Sequence, residues 1–287
     1  MMRVLAVGPA TTVQDLGRPG WFDSGVGVAG AADRASLRLA NRLVGNPEHE
    51  AAIEVLLGGL VVRAEHRHIV AVTGALAPAF VDDIPVGHAS VLRLEEGQTL
   101  RLGQAANGLR AYVAIRGGVA VESVLGSRSR DTLAGIGPEP LRSGDTIPIG
   151  PPPRTWPPVD FAPVAQVVEV VEVVEVHALP GPRADWFAEP DALFAGEWAV
   201  APETDRVGAR LHRLAGPPLR RAIDRELRTE GMVLGAVQVP PSGEPVVFLA
   251  DHPITGGYPV IAVVRSGDVD RVAQARPGQR LKFRRAP

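Results

Sequence analysis

The sequence predicts a mainly β protein built as two β-barrel halves in tandem, with a few short helices across their ends. Three observations lead there: short apolar runs punctuated by Gly and Pro, a proline-rich break near the midpoint, and segments that recur in the same order on either side of it. The break runs from Gly150-Pro151-Pro152-Pro153 through Trp156-Pro157-Pro158 to Pro163. Proline fixes φ and removes a backbone donor, so this stretch reads as an extended connector. The implied division is a first barrel over 1–150, a linker over 151–163 and a second barrel over 164–287.

The halves echo each other. Val4 to Val7 before Gly8-Pro9 resembles Val173 to Leu179 before Gly181-Pro182. Asp33-Arg34 and Asp205-Arg206 each read as a helix start, Glu54 and Glu230 each precede apolar residues and a glycine, and each half closes on Gly-Gln-x-Leu-basic, at Gly97 and at Gly278. Val246–Ala250 and Val260–Val264 suit buried strands. Val167–Val176 is read as strand on its β-branched content. Leu92–Leu94 and Leu100–Leu102 alternate around Gly97 in a hairpin pattern. The clearest helix has Asp33 as N-cap and Gly45 just past its end, with Leu37, Ala40 and Val44 on one face and Arg34, Arg38 and Arg42 on another, read as a solvated stripe. A weaker version is expected from Asp205 to Leu211.

Composition removes several function classes. The chain has 287 residues, a formal charge of −2 and no cysteine, which excludes disulfides, thiol nucleophiles and thiolate metal sites and gives no polycationic surface for nucleic acid. Lys282 is the lone lysine among 30 basic residues. A P-loop lacks its Gly-Lys-Ser/Thr step, and a biotin carrier lacks an exposed lysine, since Leu281-Lys282-Phe283 is strand-like. No covalently bound biotin is expected on this chain. Neither a Gly-x-Ser-x-Gly elbow nor a Ser-x-x-Lys motif is present. Without a signal-like start or a long apolar run, a cytoplasmic location is the expectation.

Three constellations could carry chemistry. Thr255-Gly256-Gly257-Tyr258, after Asp251-His252, could converge backbone N–H groups on an anion, or be a tight turn. The loop holding Gln14, Asp15 and Arg18 could clamp a carboxylate or phosphate, or simply bond to itself through Asp15 and Arg18. Glu54 and Glu230 could be buried acids or bases with raised pKa, or carboxylates paired with arginine. Glu65-His66-Arg67-His68 places two histidines at a spacing metals use on a strand, without a second ligand cluster, so no metal site is expected.

Thr12 to Gly20, Asp33 to Pro47 with Glu54, Asp205 to Gly208, Glu230 to Val233, and Gly235 to Gly243 through Asp251 to Pro259 together resemble the allophanate hydrolase subunit 2, or biotin-dependent carboxyltransferase-like, family. The resemblance spans nearly the whole chain. It implies cyclophilin-like β-barrels and two partner subunits, an obligate one of the B type and a further one of the A type. It also implies one of three roles: ATP-dependent opening of the 5-oxoproline lactam to glutamate, the carboxyltransferase part of a urea carboxylase, or regulation of a kinase by contact. ATP, with magnesium, is the implied cofactor. Under the lactam reading Arg18, Glu54, Arg206 and Asp251 are the catalytic candidates, and Gln14, Asp15, Gln238, Thr255, Gly256, Gly257 and Tyr258 bind substrate or nucleotide. The sequence departs from the family pattern at His252-Pro253-Ile254 and at Ala209.

Overall fold

The structure is a computed structural model that describes residues 1–157, 159–163 and 173–286. The chain folds into two compact units. One comprises residues 1–18, 29–131 and 135–170; the other comprises 19–28, 132–134 and 171–287. The second unit therefore takes in two short segments from the N-terminal half of the sequence.

Strands of the first unit are β1 (Met2–Ala6), β2 (Thr11–Gln14), β3 (Ala52–Leu56), β4 (Val61–Ala64), β5 (His68–Leu76), β6 (Ala79–Val81), β7 (Ile84–Val86), β8 (Val91–Leu94), β9 (Thr99–Leu102), β10 (Asn107–Ile115) and β11 (Thr146–Ile147). They form two sheets, ordered β11-β1-β4-β9-β6-β7 and β2-β3-β10-β5-β8. Alternation puts Val4, Val62, Leu100 and Leu102 of one sheet and Val13, Ile53, Val72 and Val113 of the other into one apolar core. Helix α1 (Arg34–Leu43) covers the opposite face of the second sheet, burying Leu37, Ala40 and Leu43 against Ala52, Ala71, Tyr112 and Ala114. Asp33 caps it as expected, its Oδ1 accepting from the Ser36 N–H at 2.9 Å, and Gly45 follows the end at φ 72°. Arg38 and Arg42 lie on the solvated face, both beside Glu48.

The second unit contains β12 (Val173–Pro180), α2 (Ala192–Ala195), β13 (Glu197–Val200), β14 (Gly208–Ala215), β15 (Glu230–Gly231), β16 (Ala236–Gln238), β17 (Val246–Phe248), β18 (Thr255–Gly256), β19 (Val260–Val264), α3 (Ser266–Gln274) and β20 (Arg280–Arg285). Seven strands close a barrel in the order β12-β19-β16-β17-β14-β13-β20, sealed by the parallel pairing of β12 with β20; β15 and β18 form a separate two-stranded ladder. The protein is thus mainly β, and Lys282 sits within β20. Of the valine-rich 167–176 stretch, Val173–Val176 is strand and the remainder lies outside the described residues.

The recurrent Gly-Gln corner is built the same way twice. Gly97 and Gly278 both adopt left-handed φ (85° and 84°), and the following glutamine folds back so that Gln98 Oε1 accepts from the Glu95 N–H and Gln279 Oε1 from the Arg276 N–H. Two local expectations fail. Leu92–Leu94 and Leu100–Leu102 are not a hairpin: β8 pairs with β5, while β9 pairs with β4 and β6. Alternation reports which face a strand buries, not its partner. Here the corner docks on Ala64 through Gly97 and Gln98 and carries the chain from one sheet to the other. Nor is Asp205–Leu211 a helix. Asp205 Oδ1 accepts from the N–H groups of Val207 and Gly208, a turn that opens β14, and Ala209 and Leu211 are buried while Arg210 is exposed.

Helix α3 is tied to β12 by Asp268, which accepts from the His177 N–H at 2.7 Å and contacts its ring Nδ1 at 2.9 Å. Burial opposes ionisation of Asp268. The two bonds to His177, with Arg271, outweigh it and hold the carboxyl below its ordinary value of 3.8. A depressed folded-state value means these bonds stabilise the fold above the unfolded-state value and are lost as pH falls through the folded one. Asp268→Asn should therefore cost about 1 kcal/mol at neutral pH. Urea titrations should show the gap to the parent protein closing below about pH 4; a gap independent of pH would refute the linkage.

Candidate functional site

The sequence candidates fall into three groups of contacts. In the first unit, β2 carries Thr12 and Gln14 on one face. Register places Thr12 opposite Glu54, Glu54 opposite Tyr112 and Tyr112 opposite Thr73, a buried polar row across β2, β3, β10 and β5. Glu54 Oε2 accepts from the Tyr112 hydroxyl at 2.7 Å and the Ala32 N–H at 3.1 Å, and Oε1 lies 3.7 Å from Arg110 Nε. The Tyr112 hydroxyl in turn accepts from the Asp33 N–H at 2.8 Å. Burial, then the charges of Glu54 and Asp33, push the Tyr112 phenol well above its ordinary value, so it stays a neutral donor. Glu54 is held at the entry to α1 by Arg110 and Tyr112, the arginine-paired arrangement of the two the sequence left open.

A second group follows directly along β2. Gln14 is fully buried and its Nε2 donates to Thr12 Oγ1 and the Arg130 carbonyl, both at 3.0 Å. The Asp15 carboxylate accepts from the Gly17 N–H at 2.7 Å, the Arg128 N–H at 2.6 Å and the hydroxyls of Ser127 and Ser129 at 2.6 and 2.5 Å. Arg18 is 1% exposed and donates to the Ser129 carbonyl. The loop does bond inward, but mainly to Ser127–Arg130, more than a hundred residues on. Buried and saturated, Asp15 is a strut and not a ligand for solvent-borne substrate.

The third group lies in the second unit. The Asp251 side chain has no exposure and takes a two-point contact from Arg206, Nε to Oδ2 at 2.9 Å and a terminal nitrogen to Oδ1 at 3.0 Å. Oδ2 also accepts from the N–H (2.9 Å) and hydroxyl (2.7 Å) of Thr132. His252 stacks on Phe248 with ring centroids 5.8 Å apart. These contacts anchor the start of the segment that ends in Thr255–Tyr258. Gly256 lies opposite Glu230 in the small ladder, and Gly256 and Gly257 both lack left-handed φ. Gly256 is thus part of a strand rather than the centre of a tight turn, and without a left-handed residue the pair lacks the alternating conformation in which successive N–H groups converge on an anion. Side chains pack closely on Gly256: a Cβ there would stand 2.6 Å from Gln238 Nε2 and 3.2 Å from Met232 Cε, so these side-chain ends would have to shift. Gln238 is buried, its Nε2 donating to the Tyr258 carbonyl at 3.1 Å, so it shapes the segment from below. Thr255, Gly257 and Tyr258 face solvent. Glu230 pairs through both carboxylate oxygens with Arg183, whose hydrogen bond holds it below the ordinary carboxylate value rather than above it.

Residues that sequence reasoning passed over complete these groups. Ser127, Arg128, Ser129, Arg130, Asp131 and Thr132 form an uninterrupted polar run in a chain that is 45% hydrophobic, and that run was the available signal. Arg221 lies with its guanidinium carbon 5.7 Å from the Tyr258 ring centroid. It donates to the Val239 carbonyl at 2.9 Å and, among the described residues, has no carboxylate partner. Only the doublet Arg220-Arg221 after Pro217-Pro218 hinted at it.

This arrangement can present an exposed phenol, a threonine hydroxyl and the Arg221 cation along one extended segment. Around Arg18 and Arg206 it does not fit an ATP–magnesium site, which needs uncompensated cations for the phosphates and oxygen ligands for the metal. The charge of Arg206 is met by Asp251, Arg18 is buried against a carbonyl, and among the described residues no three His, Asp or Glu side chains converge. No helix among the described residues is long and apolar enough to cross a membrane.

The sequence family described as carboxyltransferase domain, subdomain A and B, matches residues 24–285. The C subunit of 5-oxoprolinase from Escherichia coli (strain K12) is 38% identical over 288 residues, covering 99% of this chain and 90% of that protein. The urea amidolyase of Lachancea kluyveri is 31% identical across 98% of this chain, which spans 16% of the longer protein. Among solved structures, TTHA0988 superimposes with a TM-score of 0.87 at 33% identity, over 99% of this chain and 56% of its own. The urea amidolyase of K. lactis gives a TM-score of 0.92 at 29% identity, over the whole of this chain and 19% of its own. The chain belongs to the carboxyltransferase domain, subdomain A and B, family and is homologous to the C subunit of 5-oxoprolinase and to a segment of urea amidolyase.

Proposed function

We propose that this chain acts as the C-type subunit of an ATP-dependent 5-oxoprolinase, a hydrolase complex that opens 5-oxoproline to glutamate together with partner subunits of the B and A types. The observation that carries the reading is the end-to-end match at 38% identity to a 5-oxoprolinase C subunit. The carboxyltransferase alternative rests on lower identity to urea amidolyase and on a segment of it.

Substrate contacts in this chain come from the rim of the second unit. The Arg221 guanidinium is the group for the substrate carboxylate, and the Tyr258 and Thr255 hydroxyls take the lactam N–H and carbonyl. Arg206, Asp251 and Gln238 are positioning residues that hold the rim in place. Phosphate- and magnesium-binding groups belong to the partner subunits, in keeping with how the arginines of this chain are engaged.

The test is co-expression with candidate partner subunits followed by an assay for 5-oxoproline-dependent ADP release. Arg221→Met should raise KM for 5-oxoproline about tenfold or more, as expected for loss of a charge-assisted contact, with KM for ATP unchanged. An unaltered KM in Arg221→Met removes the residue assignment. Absence of ADP release, together with carboxyl transfer from carboxybiotin, replaces the proposal with the carboxyltransferase reading. No turnover of either kind, with tight binding to a histidine kinase, replaces it with the regulatory one.

A further inference from the structure

A cavity of about 630 Å³ opens in the first unit where β5 begins. Its floor follows from strand register. Ile69 lies directly opposite Arg93 across the β5–β8 pair, and the Arg116 N–H, just past the end of β10, donates to the Ile69 carbonyl at 2.8 Å. Arg93, Ile69 and Arg116 therefore form a row across three neighbouring strands. Farther along, the same sheet face is covered by α1, but the helix stops at Val44, whose carbonyl accepts from Arg116 at 2.7 Å. The uncovered end of the sheet becomes a floor, and Trp156 from the proline-rich stretch stands beside it, stacked on Arg116 at 4.0 Å. Arg67 and His68 complete the polar wall.

The lining is one-signed: three arginines and a histidine contribute, and no Asp or Glu does. The cations are not equivalent. Arg116 is held by the carbonyls of Val44, Pro153 and Thr155. Arg67 lies 3.4 Å from Glu95, with both side chains mostly in solvent. Arg93 is exposed and, among the described residues, has no hydrogen-bond or ion-pair partner. Burial holds His68 below its ordinary value, and its Nε2 is taken up by the Met1 carbonyl at 3.1 Å. Among the described residues, Arg93 is thus the lining arginine whose guanidinium is engaged by no protein group. It is next to an apolar surface formed by Ile69 and the Trp156 ring, and that combination suits an oxyanion carried on a flat apolar body.

We propose that this cavity binds a small organic oxyanion, a carboxylate or phosphate monoester on a flat ring, with Arg93 bonding the oxyanion and Ile69 and the Trp156–Arg116 stack holding the ring. The site is built from residues different from those of the glycine-rich rim, so it is a second ligand site on the chain.

Calorimetric titration of the full chain with benzoate, phenyl phosphate and the neutral isostere benzamide tests the assignment. At least one anion should bind saturably, and benzamide should not. Whichever anion binds more tightly identifies the preferred oxyanion. Arg93→Met should weaken binding about tenfold or more, the effect of losing one charge-assisted contact, while Arg63→Met, an exposed arginine of β4, should leave it unchanged. Because the Arg93 side chain is at the surface, the variant should melt with the parent protein. Absence of saturable binding by either anion at millimolar concentration overturns the proposal. So does equal binding of benzamide, or equal affinity in Arg93→Met. Turnover of 5-oxoproline is not involved in any readout, so the result stands apart from the fate of the functional proposal.

Discussion

Asp251→Ala is expected to lower stability by about 3–5 kcal/mol, the usual cost of removing one partner of a buried ion pair. The carboxylate has no solvent exposure and satisfies Arg206 at two points and Thr132 at two more. Truncation takes the two-point partner from a guanidinium that is only 11% exposed and removes the acceptor of two Thr132 donors. Asp251→Asn keeps the shape and one acceptor and should lose less. Urea denaturation followed by tryptophan fluorescence measures both. A loss below about 1 kcal/mol in Asp251→Ala, the level of an exposed pair, would mean that the contact does not hold the 251–258 segment.

The second large effect concerns Glu54. Replacing it by leucine removes the acceptor for the Tyr112 hydroxyl and the Ala32 N–H and leaves Arg110, 3% exposed, beside an apolar side chain. A cost of about 3–5 kcal/mol is again expected. Glu54→Gln discriminates between structure and chemistry. It retains an oxygen for Tyr112 and should give a protein less stable than the parent but more stable than Glu54→Leu, with kcat of the reconstituted complex within about threefold of the parent, since a removed general acid or base costs 10²–10⁴-fold. A well-folded Glu54→Gln complex with kcat down a hundredfold would restore Glu54 to the chemistry.

Both predictions concern residues whose type and place in the sequence suggested catalysis. The sequence was right that they are unusual. A carboxylate amid apolar neighbours, such as Glu54 between Ile53 and Val55, is rare enough to mark a special site. Rarity cannot tell a buried structural pair from a reacting group, because the distinction lies in what stands opposite. Tyr112 and Arg110 are supplied by a strand more than fifty residues away, and Thr132 reaches Asp251 from 119 residues earlier. Local elements fared better where local chemistry decides them. Asp33 and Gly45 bracket α1 because capping involves backbone groups within one turn, and the Gly97 and Gly278 corners repeat because a left-handed glycine and a returning glutamine side chain are local as well. Gly256-Gly257 failed the same test: Gly256 pairs with Glu230 in a ladder, with Gln238 packed against it, and lacks a left-handed φ.

By itself the amino-acid sequence determined the strand-rich class, the position and ends of α1, the lack of cysteine and of a P-loop motif, and the family. Each of these depends on composition, short-range periodicity or residue identity. Tertiary structure alone decided which strands pair, which segments join each compact unit, which carboxylates are neutralised, and which arginines keep their charge available. Charge is neutralised across space, between groups whose separation along the chain is arbitrary. Arg206 and Arg18 therefore look alike in sequence to Arg221 and Arg93, and only the partners that the fold brings to each guanidinium tell them apart.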